Sequence, residues 1–223
     1  GMCSIGTSGV FLSYEGNKIT DYEGKLHYFN HVLPNTFYSM GVTLAAGQSL
    51  TWFKDTFGGA LSFDELTALA DQSTIGANGL LFSPFIMGER TPYVDSSIRA
   101  SFIGMDANHQ LKDFSRAVIE GITMSLKESQ IIMEEVTSRH FDEIISVGGG
   151  TKSDLWMQIQ ADVFNAKMRT LKVEQGPGFG AAMIAALGLG WFESAEICVN
   201  QFVAYDKEFV PVPENVNRYQ KLF

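Results

Sequence analysis

Features that mark secreted, membrane or fibrous proteins are scarce or missing in this sequence. Its 223 residues include only two cysteines, too few for a disulfide framework, which favours a reducing compartment. The longest apolar stretch, residues 181–192, is too short to span a bilayer. No basic segment followed by an apolar run opens the chain, as a secretory signal would. We therefore expect a cytoplasmic protein with no membrane partner.

Positive charge is also scarce. Sixteen Lys and Arg residues stand against 25 Asp and Glu residues, which gives a formal net charge of −9. No local cluster of Lys and Arg offsets this sign, so phosphates would be repelled and we expect no nucleic-acid partner. Apolar residues, in contrast, make up 45% of the chain and charged residues only 18%, which excludes a disordered protein. A chain of this length can bury a core without cross-links.

Strand-like and helix-like segments alternate along the chain, with no linker between them, so residues 1–223 are taken as one domain. The first 44 residues are strand-like and open with a glycine hairpin, and a helix ending at Gly58-Gly59 follows. The second half alternates strand and helix, which is typical of an α/β layer with partly parallel strands. Its predicted elements are residues 143–147 (strand), 153–164 (helix), 169–173 (strand) and 180–189 (helix).

Two helix starts are marked by capping residues. Ser62 and Glu65 form a capping box, which predicts a short helix to about Asp71. Asp113 is the predicted N-cap of the longest helix, whose apolar residues recur every four positions.

Three glycine-rich turns follow predicted strands: residues 6–9, 148–153 and 176–180. Backbone without side chains can approach a ligand closely, and exposed N–H groups in a turn form an anion-binding nest. A single turn of this kind is most often a tight turn and nothing more. Three in one domain, two of them leading into helices, favour a phosphate or nucleotide ligand.

Two standard nucleotide motifs fit less well. A P-loop needs glycine before its lysine, and Thr151 precedes Lys152. Gly176, Gly178 and Ala181 match the dinucleotide pattern G-x-G-x-x-A, but no second βαβ half follows them. A dinucleotide enzyme therefore remains a weak alternative.

Taken together, these segments resemble the carboxy-terminal half of the FGGY carbohydrate kinases, over essentially the whole chain. Within that family the xylulokinase branch is the most similar, on residues 27–31, 40–42 and 88–92. The segments that carry the family resemblance are residues 6–9 (its phosphate loop), 100–105 with 113–120 (its second signature), 148–162 (its adenosine loop and helix) and 178–187 (its closing glycine–alanine helix).

The resemblance implies an α/β fold of the actin-like ATPase (ribonuclease H-like) type, with three α/β/α layers and a mixed sheet. It implies ATP with Mg²⁺ and phosphoryl transfer to a sugar hydroxyl, D-xylulose in the xylulokinase branch. Partners would be the sugar, ATP and the amino-terminal domain of the same enzyme. Whether the protein forms a homodimer is left open, and so are gluconate or another sugar as substrate.

The resemblance also implies which residues contact the nucleotide, while no metal ligand is expected in the chain. The turn at residues 6–9 would approach the outer phosphates, the helix after the first strands would flank the nucleotide, and the loop after residue 148 would contact base or ribose. For Gly47 and Thr51 the alternative is a close helix-packing face. The implied residues are Gly6, Thr7, Ser8, Gly47, Thr51, Gly149, Gly150 and Ser153.

One element of the family is missing. The aspartate that acts as base on the sugar hydroxyl precedes the phosphate loop in these kinases, in a segment this chain lacks. Because the chain opens on a strand directly after Gly1, we expect a fragment that carries no catalytic residue and is inactive alone. The rival interpretation is a non-catalytic actin-like nucleotide-binding module.

Overall fold

The computed structural model describes residues 1–173 and 176–223. Its strands are β1 (Met2–Ile5), β2 (Gly9–Gly16), β3 (His27–Asn30), β4 (Phe37–Thr43), β5 (Leu81–Ser83), β6 (Ser101–Ile103), β7 (Glu143–Gly148), β8 (Lys167–Leu171) and β9 (Tyr205–Phe209). Its α-helices are α1 (Gly47–Phe57), α2 (Phe63–Asp71), α3 (Leu111–Thr137), α4 (Asp154–Phe164), α5 (Gly176–Gly188), α6 (Ala195–Phe202) and α7 (Pro213–Leu222).

Seven strands form one mixed sheet in the order β3-β4-β2-β1-β7-β8-β9, while β5 and β6 pair separately. β1, β7 and β8 are parallel neighbours, and β4 has the same direction because it is antiparallel to β2, which is antiparallel to β1. The carboxyl ends of β1, β4 and β7 therefore meet at one edge of the sheet. The predicted α/β class with a mixed sheet is confirmed.

The long helix α3 packs on this sheet and supplies much of the core. Val118, Ile119, Ile122 and Met133 on its inner face are fully buried. Burying a side chain of this size contributes roughly 1.5–3 kcal/mol, so this face dominates the attachment of the helix to the sheet.

Some sequence predictions differ from the structure in detail. Asp113 is not the N-cap of α3: the helix begins at Leu111 after Gln110, and Asp113 lies at the third helical position, where its carboxylate accepts from the Gln110 N–H at 2.9 Å. β8 ends at Leu171 rather than at residue 173. The segment 176–180, predicted as a glycine-rich turn, forms the first turns of α5.

Helix α5 is apolar but little buried. Only Ala186 of its described side chains is buried, and Ile184 is 42% exposed. Leu189 and Trp191, just after the helix, are 69% and 72% exposed. We call Ile184, Leu189 and Trp191 the apolar surface. Across residues 1–173 and 176–223, no helix combines the length and hydropathy needed to cross a membrane.

Candidate functional site

A cavity of about 270 Å³ opens where the carboxyl ends of β1, β4 and β7 meet. Its walls come from the turn after β1, the first turns of α1, the outer side of α2 and the loop that joins β7 to α4. The lining residues include all the predicted site residues except Ser8, which is exposed outside it: Gly6, Thr7, Gly47, Thr51, Gly149, Gly150 and Ser153, joined by Ile5, Gln48, Leu50, Phe63, Asp64, Thr67, Lys152 and Trp156.

The turn after β1 is held in shape by the beginning of α1. The Gly47 N–H donates to the Gly6 carbonyl at 2.8 Å, and the N–H groups of Ala46 and Gln48 both donate to the Thr7 carbonyl at 3.0 Å. These amides would otherwise lack partners, as the first N–H groups of a helix do. The Gly6 and Thr7 carbonyl groups therefore cap the start of α1. A ligand in the cavity would meet the groups of the turn that point away from α1, and not these N–H groups.

Gly47 is required by this close approach. A Cβ atom at this position would lie 2.4 Å from the Gly6 carbonyl oxygen, closer than such atoms can come. At Gly6, in contrast, the nearest heavy atom to a built Cβ is the Ser8 carbonyl oxygen at 3.8 Å. Gly47 therefore has the packing role considered above as well as a place on the cavity wall, and Gly6 keeps open space above the turn.

The loop after β7 approaches β1 in a similar way. Gly148 has a φ of +90°, and a Cβ there would lie 2.5 Å from the Ile5 carbonyl oxygen. The chain then makes a short 3₁₀ turn over Gly149–Lys152 and enters α4, whose N-cap Ser153 accepts from the Trp156 N–H at 3.3 Å. Ser153 thus caps the helix and lines the cavity at once.

Sequence reasoning missed the α2 wall. Phe63, Asp64 and Thr67 line the cavity, while Leu66 and Ala70 of the same helix are fully buried on its other side. The capping box predicted the helix correctly, with Ser62 accepting from the Glu65 N–H at 3.2 Å. The available signal was Phe63 itself, an aromatic side chain on the polar side of an amphipathic helix.

Among residues 1–173 and 176–223, only two charged residues line the cavity. Asp64 belongs to α2 and Lys152 to the loop before α4. Across the described residues, no hydrogen bond or ion pair joins either charged group to another side chain. The cavity therefore offers a ligand one negatively charged hydrogen-bond acceptor, the Asp64 carboxylate, and one positively charged hydrogen-bond donor, the Lys152 ammonium group.

The second family signature builds the frame behind the site. The Glu120 carboxylate accepts from Arg116 Nε at 2.7 Å, from the Tyr219 hydroxyl at 2.8 Å and from the Gly76 N–H at 3.2 Å. Burial raises the pKa of Glu120, and its bonds to Arg116 and Tyr219 oppose that rise. About two turns before Glu120 on α3, Asp113 accepts from the Ser73 hydroxyl at 2.6 Å. These residues therefore tie α3 to the segment after α2 and to α7.

The fold is of the actin-like ATPase type, and comparison with known proteins gives the family. Residues 1–189 match the model of the C-terminal domain of the FGGY family of carbohydrate kinases, so the chain belongs to that family. The predicted actin-like fold is confirmed: the crystal structure of a ligand-bound xylulose kinase from Lactobacillus acidophilus aligns with a TM-score of 0.92 at 28% identity, over 99% of this chain and 44% of that one.

Within the family, the predicted resemblance to xylulose kinases is confirmed. Xylulose kinases from Lactococcus lactis and Bacillus subtilis are 55% and 53% identical to the chain over all of its length. A gluconokinase from Bacillus licheniformis is 27% identical over 98% of the chain. The chain spans 44% of the length of each of these three relatives.

Proposed function

We propose that the chain is the nucleotide-binding domain of a kinase that transfers the γ-phosphate of ATP to a hydroxyl of D-xylulose, giving D-xylulose 5-phosphate. The observation that carries this proposal is the convergence of the segments after β1, β4 and β7 on one cavity. The much greater identity to xylulose kinases than to a gluconokinase supports D-xylulose over gluconate.

In this proposal the two ends of the cavity have different tasks. The turn at Gly6 and Thr7 holds the outer phosphates, because it presents backbone and a hydroxyl with open space above them. Gly149, Gly150 and Ser153 contact the base or ribose. Catalysis by such a domain is mainly positioning, with the phosphates held in line for the attacking hydroxyl.

Mg²⁺ would arrive with the nucleotide. The described residues form no group of three or more His, Cys, Asp and Glu side chains suited to a metal, and Asp64 is the one carboxylate among the cavity residues. This set fits an ion that is held largely by phosphates and water, as Mg²⁺ usually is at kinase sites. When bound, Mg²⁺ neutralises charge on the transferring phosphoryl group.

The base and most of the sugar pocket belong, in this proposal, to an amino-terminal domain. The length of the relatives supports this division, since the chain covers 44% of them. The apolar surface supports it as well: Ile184, Leu189 and Trp191 are large exposed side chains on and beside one helix, and a face of this kind commonly meets a partner.

The first test is the choice of ligand. Calorimetry is expected to show binding of ADP and no binding of NAD, because the cavity has backbone and hydroxyl groups at one end but lacks the dinucleotide architecture. Affinity should be modest, since a cleft that lacks the amino-terminal domain of the kinase buries less of its ligand than a closed pocket. Tight NAD binding without ADP binding would contradict the proposal.

A matched pair of glycine variants separates folding from binding. Gly47→Ala should lower the melting temperature, because its methyl group collides with the Gly6 carbonyl oxygen. Gly6→Val should leave melting nearly unchanged and weaken ADP binding several-fold or more, because the branched side chain fills the space above the turn. Equal loss of stability in both variants would favour a purely structural turn.

A further inference from the structure

We propose that Glu89 is a positioning residue for the turn of residues 6–9, called the phosphate turn below. Its buried carboxylate fixes the end of β4, and the end of β4 holds the phosphate turn in place. This inference rests on the proposed function, because the phosphate turn is the part of the cavity assigned to the outer phosphates. It gives a role in the site to segment 88–92, which lies outside the glycine loops.

The hydrogen bonds of the carboxylate are the first argument. Glu89 is 4% exposed, and its Oε2 accepts from the Thr43 hydroxyl at 2.5 Å. Its Oε1 accepts from the Leu44 N–H at 3.0 Å and from the Arg90 N–H at 2.6 Å. A buried carboxylate is costly unless hydrogen bonds satisfy it, and two of these three donors belong to the last residue of β4 and the residue after it. Glu89 therefore fixes the point at which the chain leaves the sheet.

One path from this point to the phosphate turn runs through the Thr43 side chain. Thr43 pairs with Gly9, the last residue of the turn, in the register of β4 and β2. A Cβ atom built on Gly9 would lie 2.7 Å from Thr43 Cγ2, so the methyl group of Thr43 lies directly against the turn. Because the hydroxyl of the same side chain donates to Glu89, the carboxylate sets the rotamer in which Thr43 supports the turn.

A second path runs along the backbone after β4. Glu89 holds the Leu44 N–H, and α1 begins three residues later at Gly47. The Gly47 N–H donates in turn to the Gly6 carbonyl at 2.8 Å. A displacement of the chain at Leu44 would therefore move the helix start that holds the phosphate turn.

The segment that carries Glu89 is itself fixed on both sides. The Glu89 N–H donates to the Asp95 carbonyl at 2.8 Å, and the Asp95 N–H donates to the Glu89 carbonyl at 3.0 Å. Two residues further on, the N–H of the buried Thr91 donates to the Val42 carbonyl at 3.1 Å. The carboxylate thus has a defined position relative to β4, which a residue that supports a binding site requires.

A second buried carboxylate on the same pair of strands provides a matched control. Glu15 in β2 is 5% exposed and accepts from the Ser39 hydroxyl at 2.6 Å and from the Tyr22 hydroxyl at 3.1 Å. Because β2 is antiparallel to β4, Glu15 and Ser39 lie toward the sheet edge opposite to the phosphate turn. Removing either carboxylate should reduce stability, but only the loss of Glu89 should affect the turn.

The test measures the binding of ADP and of adenosine by calorimetry, together with the melting temperature. Glu89→Ala should weaken ADP binding roughly 10- to 100-fold, as expected when about one hydrogen bond to a charged phosphate is lost, and leave adenosine binding unchanged. Glu15→Ala should lower the melting temperature and leave both affinities unchanged. Glu89→Gln should retain ADP binding, because its amide oxygen can accept from the two backbone N–H groups while its NH₂ group donates to the Thr43 hydroxyl.

A purely structural role would give other results. Unchanged ADP binding in Glu89→Ala, an equal loss of ADP and adenosine binding, an equal loss of ADP binding in Glu15→Ala, or the same loss in Glu89→Gln as in Glu89→Ala would overturn the inference while the proposed function stands. No ADP binding by the unsubstituted chain would overturn the proposed function itself.

Thr43→Val decides the same point if Glu89→Ala does not melt cooperatively. This change keeps a methyl group against Gly9 and removes only the bond to Glu89. It should weaken ADP binding about threefold or more, the effect of losing one neutral hydrogen bond, and leave adenosine binding unchanged. Unchanged ADP binding in Thr43→Val would then overturn the inference.

Discussion

Given ATP and D-xylulose, the 223-residue chain is expected to release ADP no faster than it does without the sugar. Phosphoryl transfer requires the acceptor hydroxyl to be held in line with the γ-phosphate beside a base. Well-oriented placement of this kind accounts for about 7–11 kcal/mol of barrier lowering, or roughly a 10⁵- to 10⁸-fold rate effect. In the proposed division of labour, this chain supplies neither the base nor the acceptor pocket.

The measurement is a coupled ADP-release assay on two proteins. One is this chain, and the other joins it in frame to the amino-terminal portion of the Lactococcus lactis xylulose kinase, which is 55% identical in the shared region. Sugar-dependent release only by the joined protein is the expected outcome. Sugar-dependent turnover by the chain alone would place the base within it and refute the proposed division.

The largest effect on stability is expected from Glu120→Ala. Removing this carboxylate leaves the buried guanidinium of Arg116 without its ionic partner and takes one acceptor from the Tyr219 hydroxyl. Breaking one side of a buried pair typically costs about 3–5 kcal/mol. Urea unfolding monitored by circular dichroism should show a loss in this range.

The control is an ion pair at the surface. Asp154→Asn removes the partner of Lys207, whose side chain and that of Asp154 are 53% and 66% exposed. This change should leave the free energy of unfolding close to that of the unsubstituted protein, because water screens such a pair. If Glu120→Ala were no more destabilising than this control, the tie between α3 and α7 would not be a significant source of stability.

The glycine loops could be placed from the sequence because they follow strands. Once β1, β4 and β7 are assigned to one sheet with parallel directions, the segments after them must meet at one edge, as Gly6, Gly47 and Gly149 do. The capping box at Ser62 and the end of α1 before Gly58 were likewise local signals, and both predictions were correct.

Features set by packing could not be obtained in this way. Which side of α2 faces the cavity depends on how Leu66 and Ala70 dock against distant elements, and the sequence pattern contains no information on that partner. Asp113 illustrates a subtler limit: an aspartate at the N-cap and one at the third helical position both accept a nearby N–H, so the wrong position was assigned. The exposure of α5 could not be predicted either, because its apolar composition is typical of a buried helix.

The bond from Tyr219 to Glu120 has a consequence for how this protein is divided. The family match ends at residue 189, yet Tyr219 and Val216, both beyond it, are buried. Asp162 in α4 also accepts from the Val212 N–H at 2.8 Å. The segment that the family model matches is therefore shorter than the packed unit, which includes α7. A gene fragment cut at the end of the family match would lose Tyr219 and Val216, and this loss would expose Arg116 and part of the core.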